Sequence, residues 1–559
     1  MAKRRSAWRA CGAAIALALG LSALAADVAA AEVSPYGQVR ERAIPGDPVR
    51  IDSGLVAGKR LPSGVRAYFG VPFAAPPVRE LRWREPQPAP PWRGVLDADQ
   101  PAPECVQMLR AHDINNYFGE EATSEDCLYL NIWAPADESK GTLRPVVVWI
   151  YGGGFSIGSA SMPNYSGETL ATKGVVYVAI AYRVGAFGFL ALPGLTAESA
   201  HHSSGDYGLL DQIAGLRWVQ RNIAAFGGDP ANVTIMGQSA GSMSVSMLQA
   251  SPLAHGLFRH VIGLSGSAVS DDPQSRPRTL ESAEHEGEVL PEALHAADLA
   301  ALRSLPSDRI LFAPVVGRVR YTPNIDGYVL PASPQEVFTA GKQNDVPALM
   351  GFVHDESFSE LGRALTLADY QEQAHKLYGD KADELLKLYP ASDDAQAARA
   401  ARDAGRDASL GLQMRSWARA QTATGQSPVY VYLFSRVHPY AAGVIFSDHD
   451  PTTVGAYHSG DIPYWLGTLD AFNSLRVTRH WTAEDRALSD FMSSAVVSFA
   501  TSGNPGSGWP VYQLEQERVM GLDVQRKAIP WPDSGKMDFF VRNHPVDRPP
   551  APAAGRSRD

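Results

Sequence analysis

VTIMGQSAGSMSVSMLQ, residues 233–249, is the stretch that decides the fold. Val233–Met236 form a short apolar run of the kind that makes a buried strand. Gly237-Gln238-Ser239-Ala240-Gly241 is a G-x-S-x-G pattern, and AGSMSVSMLQ after it is compatible with a helix. Strand, sharp turn and helix in that order hold a serine hydroxyl above the carboxyl end of a sheet. Glycines flank such a serine because the tight turn leaves no room for a Cβ. The plainer alternative is that Ser239 is only a helix N-cap.

A second G-x-S-x-G lies at 154–158, inside YGGGFSIGS (151–159), with Ser156 at its centre. It too comes after an apolar run, VVVWIY (146–151). However, SASMPNYSG (159–167) is next, and its proline and turn formers make a poor helix. Ser239 therefore fits the elbow and Ser156 does not. Nor is the glycine run a phosphate loop: no Lys-Ser/Thr stands at the required spacing, and Ile157 occupies the last glycine position of G-x-G-x-x-G.

Outward from this stretch, apolar runs recur. GVVYVAIAYR (174–183), HVIGLSG (260–266), VPALMGFV (346–353) and SPVYVYLFSRV (427–437) read as further strands. Residues 208–226 carry apolar side chains at 209, 213, 216, 219 and 223, a helical spacing closed by Gly227-Gly228. Strands alternating with helices predict an α/β fold, a mostly parallel sheet with helices on both faces. Residues 32–100 read as short strands and turns. Residues 271–330 are polar and irregular, and 365–425 read as amphipathic helices; both are expected as insertions over the functional edge. Residues 32–540 are expected to form one domain, with a Pro-rich, disordered tail at 541–559.

Apolar residues make up 45% of the 559-residue chain, enough for a large core, and charged residues 20%. A net charge of −10 argues against a nucleic-acid-binding surface. Lys3, Arg4, Arg5 and Arg9 precede an apolar run at 11–26, and A-x-A cleavage sites end at Ala25 or Ala31. That is the layout of a secretory signal peptide, too short for a comfortable membrane span, so a secreted or periplasmic protein without a stable membrane anchor is expected. Cleavage removes Cys11 and leaves Cys105 and Cys127, which are expected to pair in an exported chain. Their loop would contribute roughly 3 kcal/mol.

A serine nucleophile needs a base and an orienting acid, in the chain order nucleophile, acid, histidine for this fold class. His438, His449, His458 and His480 are the late histidines, and His458 sits in the Gly-rich GAYHSGDIPYW (455–465). The strand VPALMGFV ends in His354-Asp355-Glu356, a suitable place for the acid.

FGGDPANVTIMGQSAG (226–241) resembles the active-site signature of the type-B carboxylesterase family, which includes the cholinesterases, and EDCLYLNIWAP (125–135) resembles its second signature. GVPFAAPPVRELRWREPQPAPPW (70–92), WIYGGGF (149–155), MGFVHDES (350–357), GAYHSGDIPYWLG (455–467) and 482–505 extend the likeness over most of the chain, in the manner of a bacterial secreted member. The match is weakest at 270–345 and 365–425.

The resemblance implies an α/β-hydrolase fold and a serine carboxylesterase that works through an acyl-enzyme. Ser239 would be the nucleophile, Glu356 rather than Asp355 the acid, and His458 the base. The oxyanion hole would be the N–H groups of Gly153, Gly154 and Ala240. The resemblance also implies the Cys105–Cys127 bridge. No metal or cofactor is required, and neither a Cys cluster nor a HExxH pattern is present. Gln238 stands where many members have glutamate and is not expected to abolish chemistry.

The expected partner is a small-molecule ester. Feruloyl or other phenolic esters are an alternative substrate class. A non-catalytic adhesion protein on the same fold is the rival from another class, disfavoured because the whole constellation is present. A choline-ester specialist is disfavoured because residues 106–126 hold no tryptophan for cation–π contact, only Tyr117 and Phe118 as aromatics.

Overall fold

Each apolar run becomes a strand buried on both faces, and with five further strands toward the margins they build a sheet of eleven strands among the described residues. The computed structural model describes residues 44, 46–108, 113–115, 122–136, 142–272, 276–315, 319–532 and 534–545. The N-terminal segment read as a signal peptide, with Cys11, Ala25 and Ala31, the aromatics Tyr117 and Phe118, and the residues beyond 545 lie outside the described residues.

In chain order the sheet strands are β1 (Lys59–Arg60), β2 (Arg66–Pro72), β3 (Tyr129–Ala134), β4 (Arg144–Ile150), β5 (Val176–Ile180) and β6 (Gly228–Gln238). They continue with β7 (His260–Leu264), β8 (Ala348–Val353), β9 (Val429–Phe434), β10 (Arg518–Leu522) and β11 (Lys527–Pro530). Their spatial order is β11-β10-β9-β8-β7-β6-β4-β5-β3-β2-β1. Pairing is parallel from β5 through β4 and β6 to β10. It is antiparallel at both margins.

Val146–Ile150 and Val176–Ile180 are fully buried. Each such Val or Ile contributes about 1.5–3 kcal/mol. Parallel strands need long crossovers, and helices supply them. The 208–226 periodicity becomes α1 (Tyr207–Asn222) and a 3₁₀ turn that ends at Gly227 in the left-handed region, φ 86°. The carboxylate of Asp211 on α1 grips Arg183 just past β5, with Nη2–Oδ1 at 2.7 Å and Nε–Oδ2 at 2.8 Å. After β6 comes α2 (Ala240–Ala250).

The 365–425 region forms α3 (Leu367–Tyr378), α4 (Ala382–Leu388), α5 (Asp394–Asp407) and α6 (Leu410–Thr424). A short α7 (Ile462–Leu466) and a long α8 (Ala483–Ser502) come later in the chain. The last helix, α9 (Ser534–Arg542), runs two residues into the stretch assigned from sequence to the tail.

Topology positions the site. From β4 the chain moves to β5 on one side, then returns to β6 on the other. Ligands in open α/β sheets bind outside the carboxyl ends of strands at such a switch point. The segments that leave β4, β6 and β8 start at Tyr151, Ser239 and His354, so all three emerge on one edge.

Candidate active site

Ser239 sits between β6 and α2 with φ 54° and ψ −122°, a strained place for a residue with a Cβ. Two backbone bonds hold it there: its N–H donates to Leu264 O at 2.8 Å, and its carbonyl accepts from Met243 N at 2.8 Å. A Cβ on Gly241 would overlap the backbone of Ile150, and one on Gly237 the backbone of Gly241. Close approach therefore demands both flanking glycines. Ala240 is the first residue of α2, and the first N–H groups of a helix lack an intrahelical partner.

The glycine run packs directly on this elbow. A Cβ on Gly152 would lie 2.5 Å from Gln238 O and 3.0 Å from Ser239 Cβ. Gly153 and Gly154 have φ 117° and 62°, the left-handed region that favours glycine, and at Gly153 a Cβ would also overlap Ile157 O. Tyr151 anchors its start: its hydroxyl donates to Tyr182 O at 2.9 Å, and the Tyr182 hydroxyl donates back to Tyr151 O at 2.8 Å. The two rings stack at 4.4 Å. At its far end Gly158 N donates to Gln107 Oε1 at 2.7 Å, and Gln107 Nε2 donates to Gly158 O at 2.8 Å. Gln107 lies two residues beyond Cys105, and Cys105 is joined to Cys127 by a disulfide. Phe155 is core, edge-to-face with Phe189 at 5.3 Å.

Ser156 is used differently. Its N–H and the N–H of Ile157 donate to Gly153 O at 3.1 and 3.2 Å. Its hydroxyl also donates to Gly153 O at 3.2 Å. A turn consumes the serine, and no α-helix begins directly after it.

Glu356 is brought to His458 across 102 positions of sequence. Its Oε2 lies 2.6 Å from His458 Nδ1. Its Oε1 accepts from Val353 N at 2.9 Å. The carboxyl is nearly sealed, at 2% exposure. Asp355, one residue earlier, points elsewhere: Oδ2 accepts from Ala456 N at 2.8 Å, and Oδ1 meets His354 Nδ1 at 3.0 Å. Burial pushes its carboxyl up, but the His354 contact and the Ala456 N–H outweigh burial and hold it below the usual value. Asp355 thus clamps the loop that carries His458.

Of the other late histidines, His438 is buried. Its Nε2 donates to Gly460 O at 2.7 Å. Burial, with Arg479 beside it, pushes it down to about 3. His449 lies beside Asp448.

Two side-chain placements in the site escaped the sequence reading. Gln238, 1% exposed, places Nε2 3.1 Å from His458 Nε2. Asp461, three residues after His458, is wholly buried. Its Oδ2 accepts from the Tyr432 hydroxyl at 2.7 Å and Trp465 Nε1 at 3.2 Å. Burial and the neighbouring Glu356 push Asp461 up to about 6, against the Tyr432 bond. The H-S-G-D spacing was a readable hint for Asp461; nothing local signals the Gln238 contact. Among the described residues no group of three or more His, Cys, Asp or Glu is arranged to hold a metal, and no helix is long and apolar enough to cross a membrane.

A mixed sheet flanked by helices, with a strained serine between β6 and α2 and a His–carboxylate pair on the same edge, is an α/β-hydrolase fold, and the chain is a carboxylic ester hydrolase. Residues 46–544 match the Carboxylesterase family, and the chain belongs to it. It is 38% identical to the fumonisin B1 esterase of Sphingopyxis macrogoltabida over 483 residues, covering 83% of this chain and 84% of that one. It is 33% identical to the para-nitrobenzyl esterase of Bacillus subtilis, covering 85% of this chain and 94% of that one. A solved structure of PNB esterase superposes with a TM-score of 0.72 at 31% identity, over 88% of this chain and 99% of that one.

Proposed function

We propose that this chain is a serine carboxylesterase in which His458 takes the Ser239 proton as the hydroxyl attacks an ester carbonyl. Glu356 keeps the proton of the imidazole on Nδ1 and stabilises the imidazolium. The tetrahedral oxyanion is held by the N–H groups of Gly153, Gly154 and Ala240, each worth roughly 2.7–4 kcal/mol. The alcohol leaves with the proton from His458. Water, activated by the same base, then frees the acid from the acyl-serine.

The observation that carries this reading is the Glu356–His458 pair at 2.6 Å, whose other ring nitrogen lies 3.1 Å from the residue next to the strained Ser239. The glycine loop packed on that serine supports the oxyanion assignment. Relatives named for fumonisin B1 and para-nitrobenzyl esters favour small-molecule esters of varied alcohol size as substrates. Export is also proposed, on the basic and then apolar N-terminus; N-terminal sequencing of protein recovered outside the cytoplasm checks it.

Brief mixing with p-nitrophenyl acetate, acid quench and peptide mass mapping tests the mechanism. An acetyl group on the Ser239 peptide is expected. Acetylation at another serine with Ser239 free overturns it.

A further inference from the structure

Gln238 lies at the carboxyl end of β6, beside the proposed nucleophile, and its side chain is buried against the glycine loop. Its amide nitrogen is 3.1 Å from His458 Nε2. The other side of the ring decides which partner donates. Glu356 accepts from Val353 N and lies 2.6 Å from His458 Nδ1, so the Nδ1 hydrogen goes to the carboxylate. A neutral imidazole has one N–H, and here it is used. Nε2 therefore carries the lone pair, and the Gln238 NH₂ donates to it.

We propose that Gln238 is a positioning residue that holds His458 Nε2 in its base form, yields that lone pair to the Ser239 hydroxyl during attack, and shifts the working range of the enzyme toward lower pH. The inference rests on His458 being the base. A donor on Nε2 favours the neutral ring, since a protonated Nε2 would face the amide hydrogens. A glutamate at the same place would do the reverse, setting a carboxylate against the imidazolium. The titratable groups around the ring are Glu356, with Asp355 and His354 beside it at the end of β8, Tyr432 from β9, and Asp461 from the histidine's own loop. None of these groups is itself altered by a substitution at position 238. Gln238 donates through a single planar group buried beside Gly152, so its direction is fixed by packing as well as by the bond.

The test is the pH dependence of kcat/KM for p-nitrophenyl butyrate in the full chain, compared with Gln238→Glu and Gln238→Met. The acid limb reports protonation of the free enzyme's base. In Gln238→Glu it is expected to move up by roughly one pH unit, a roughly tenfold lower relative rate on the acid side. In Gln238→Met, which removes the donor and adds no charge, it should move the same way by roughly threefold in relative rate. Should the buried carboxylate prevent folding, the methionine variant decides alone. Limbs that superimpose on the parent overturn the inference, and so does a shift toward lower pH. Ser239→Ala and His458→Ala separate the two readings. If either retains turnover, the triad falls and takes this inference with it. If both are inactive and the Gln238 profiles match the parent, this inference alone falls.

Discussion

The two G-x-S-x-G stretches leave adjacent parallel strands, β4 and β6, at the same edge of the sheet. The five-residue pattern alone does not distinguish them, yet they are shaped for opposite tasks. At 239 the backbone is forced to φ 54° and the serine stands at the mouth of a helix. At 156 the strain falls on its neighbour Phe155, φ 60°, and the hydroxyl folds back onto Gly153 O. The first stretch presents a side chain. The second presents backbone, and its glycines lie against the first. A motif's chemistry thus depends on where the turn puts its strain and on whether a helix continues from the turn.

The sharpest way to break the contrast is to remove each hydroxyl. Ser239→Ala should lower kcat on p-nitrophenyl butyrate by about 10⁴-fold or more, by analogy with nucleophile deletions in other serine hydrolases. Ser156→Ala should stay within a few-fold of the parent. Equal losses would erase the distinction between the stretches.

Next in size is the acidic pair. Glu356→Gln should cost about 10³–10⁴ in kcat, because the ring loses the acceptor that fixes its tautomer. Asp355→Asn should cost less than about tenfold in kcat and show mainly as a lower melting temperature, since it weakens the clamp on Ala456. Comparable kcat losses would mean both carboxyls serve the histidine.

Gly154→Ala probes the backbone role of the second stretch. Its added methyl has open space, the nearest atom being Ser156 Oγ at 3.8 Å, so the protein should fold. The left-handed φ costs about 1–2 kcal/mol in any residue with a Cβ. Relaxation of that strain would swing the N–H away, and kcat should fall about tenfold or more with KM little changed. An unchanged kcat would detach this loop from the oxyanion.

The smallest effect is one of stability. Asp461 is raised to about 6 when folded, against about 4 when unfolded. The folded state therefore binds the extra proton, and this carboxyl costs stability progressively as pH rises from about 4 to 6. Asp206 and Asp326, both pushed up first by burial, act in the same direction. Asp461→Asn should be more stable than the parent at pH 8, by an amount on the order of 1–3 kcal/mol, and the gain should vanish near pH 4. Thermal melts at both pH values check the sign; a gain that does not depend on pH would mean Asp461 is not buried as a neutral acid.

The strands were legible because burial on both faces leaves continuous apolar runs, and α1 because its apolar face repeats with helical period. The elbow at Ser239 was legible from its glycines and the helix after it. The choice of Glu356 over Asp355 was not readable from the residues themselves, since both come directly after β8; only resemblance favoured one. Gln238–His458 and Gln107–Gly158 were invisible for a simpler reason. They join residues 220 and 51 positions apart, and each depends on an amide whose direction is set by tertiary packing. Asp461 falls between: its spacing from His458 was visible, its burial was not.

The backbone at Ser239 has an evolutionary consequence. Holding a non-glycine residue at φ 54° and ψ −122° costs on the order of 1–3 kcal/mol. Glycine would adopt the same angles freely, so Ser239→Gly should yield a sturdier protein that no longer turns over. A laboratory screen that rewards heat resistance alone would be drawn to that substitution. Any thermostabilisation campaign on this chain therefore needs an activity filter in every round.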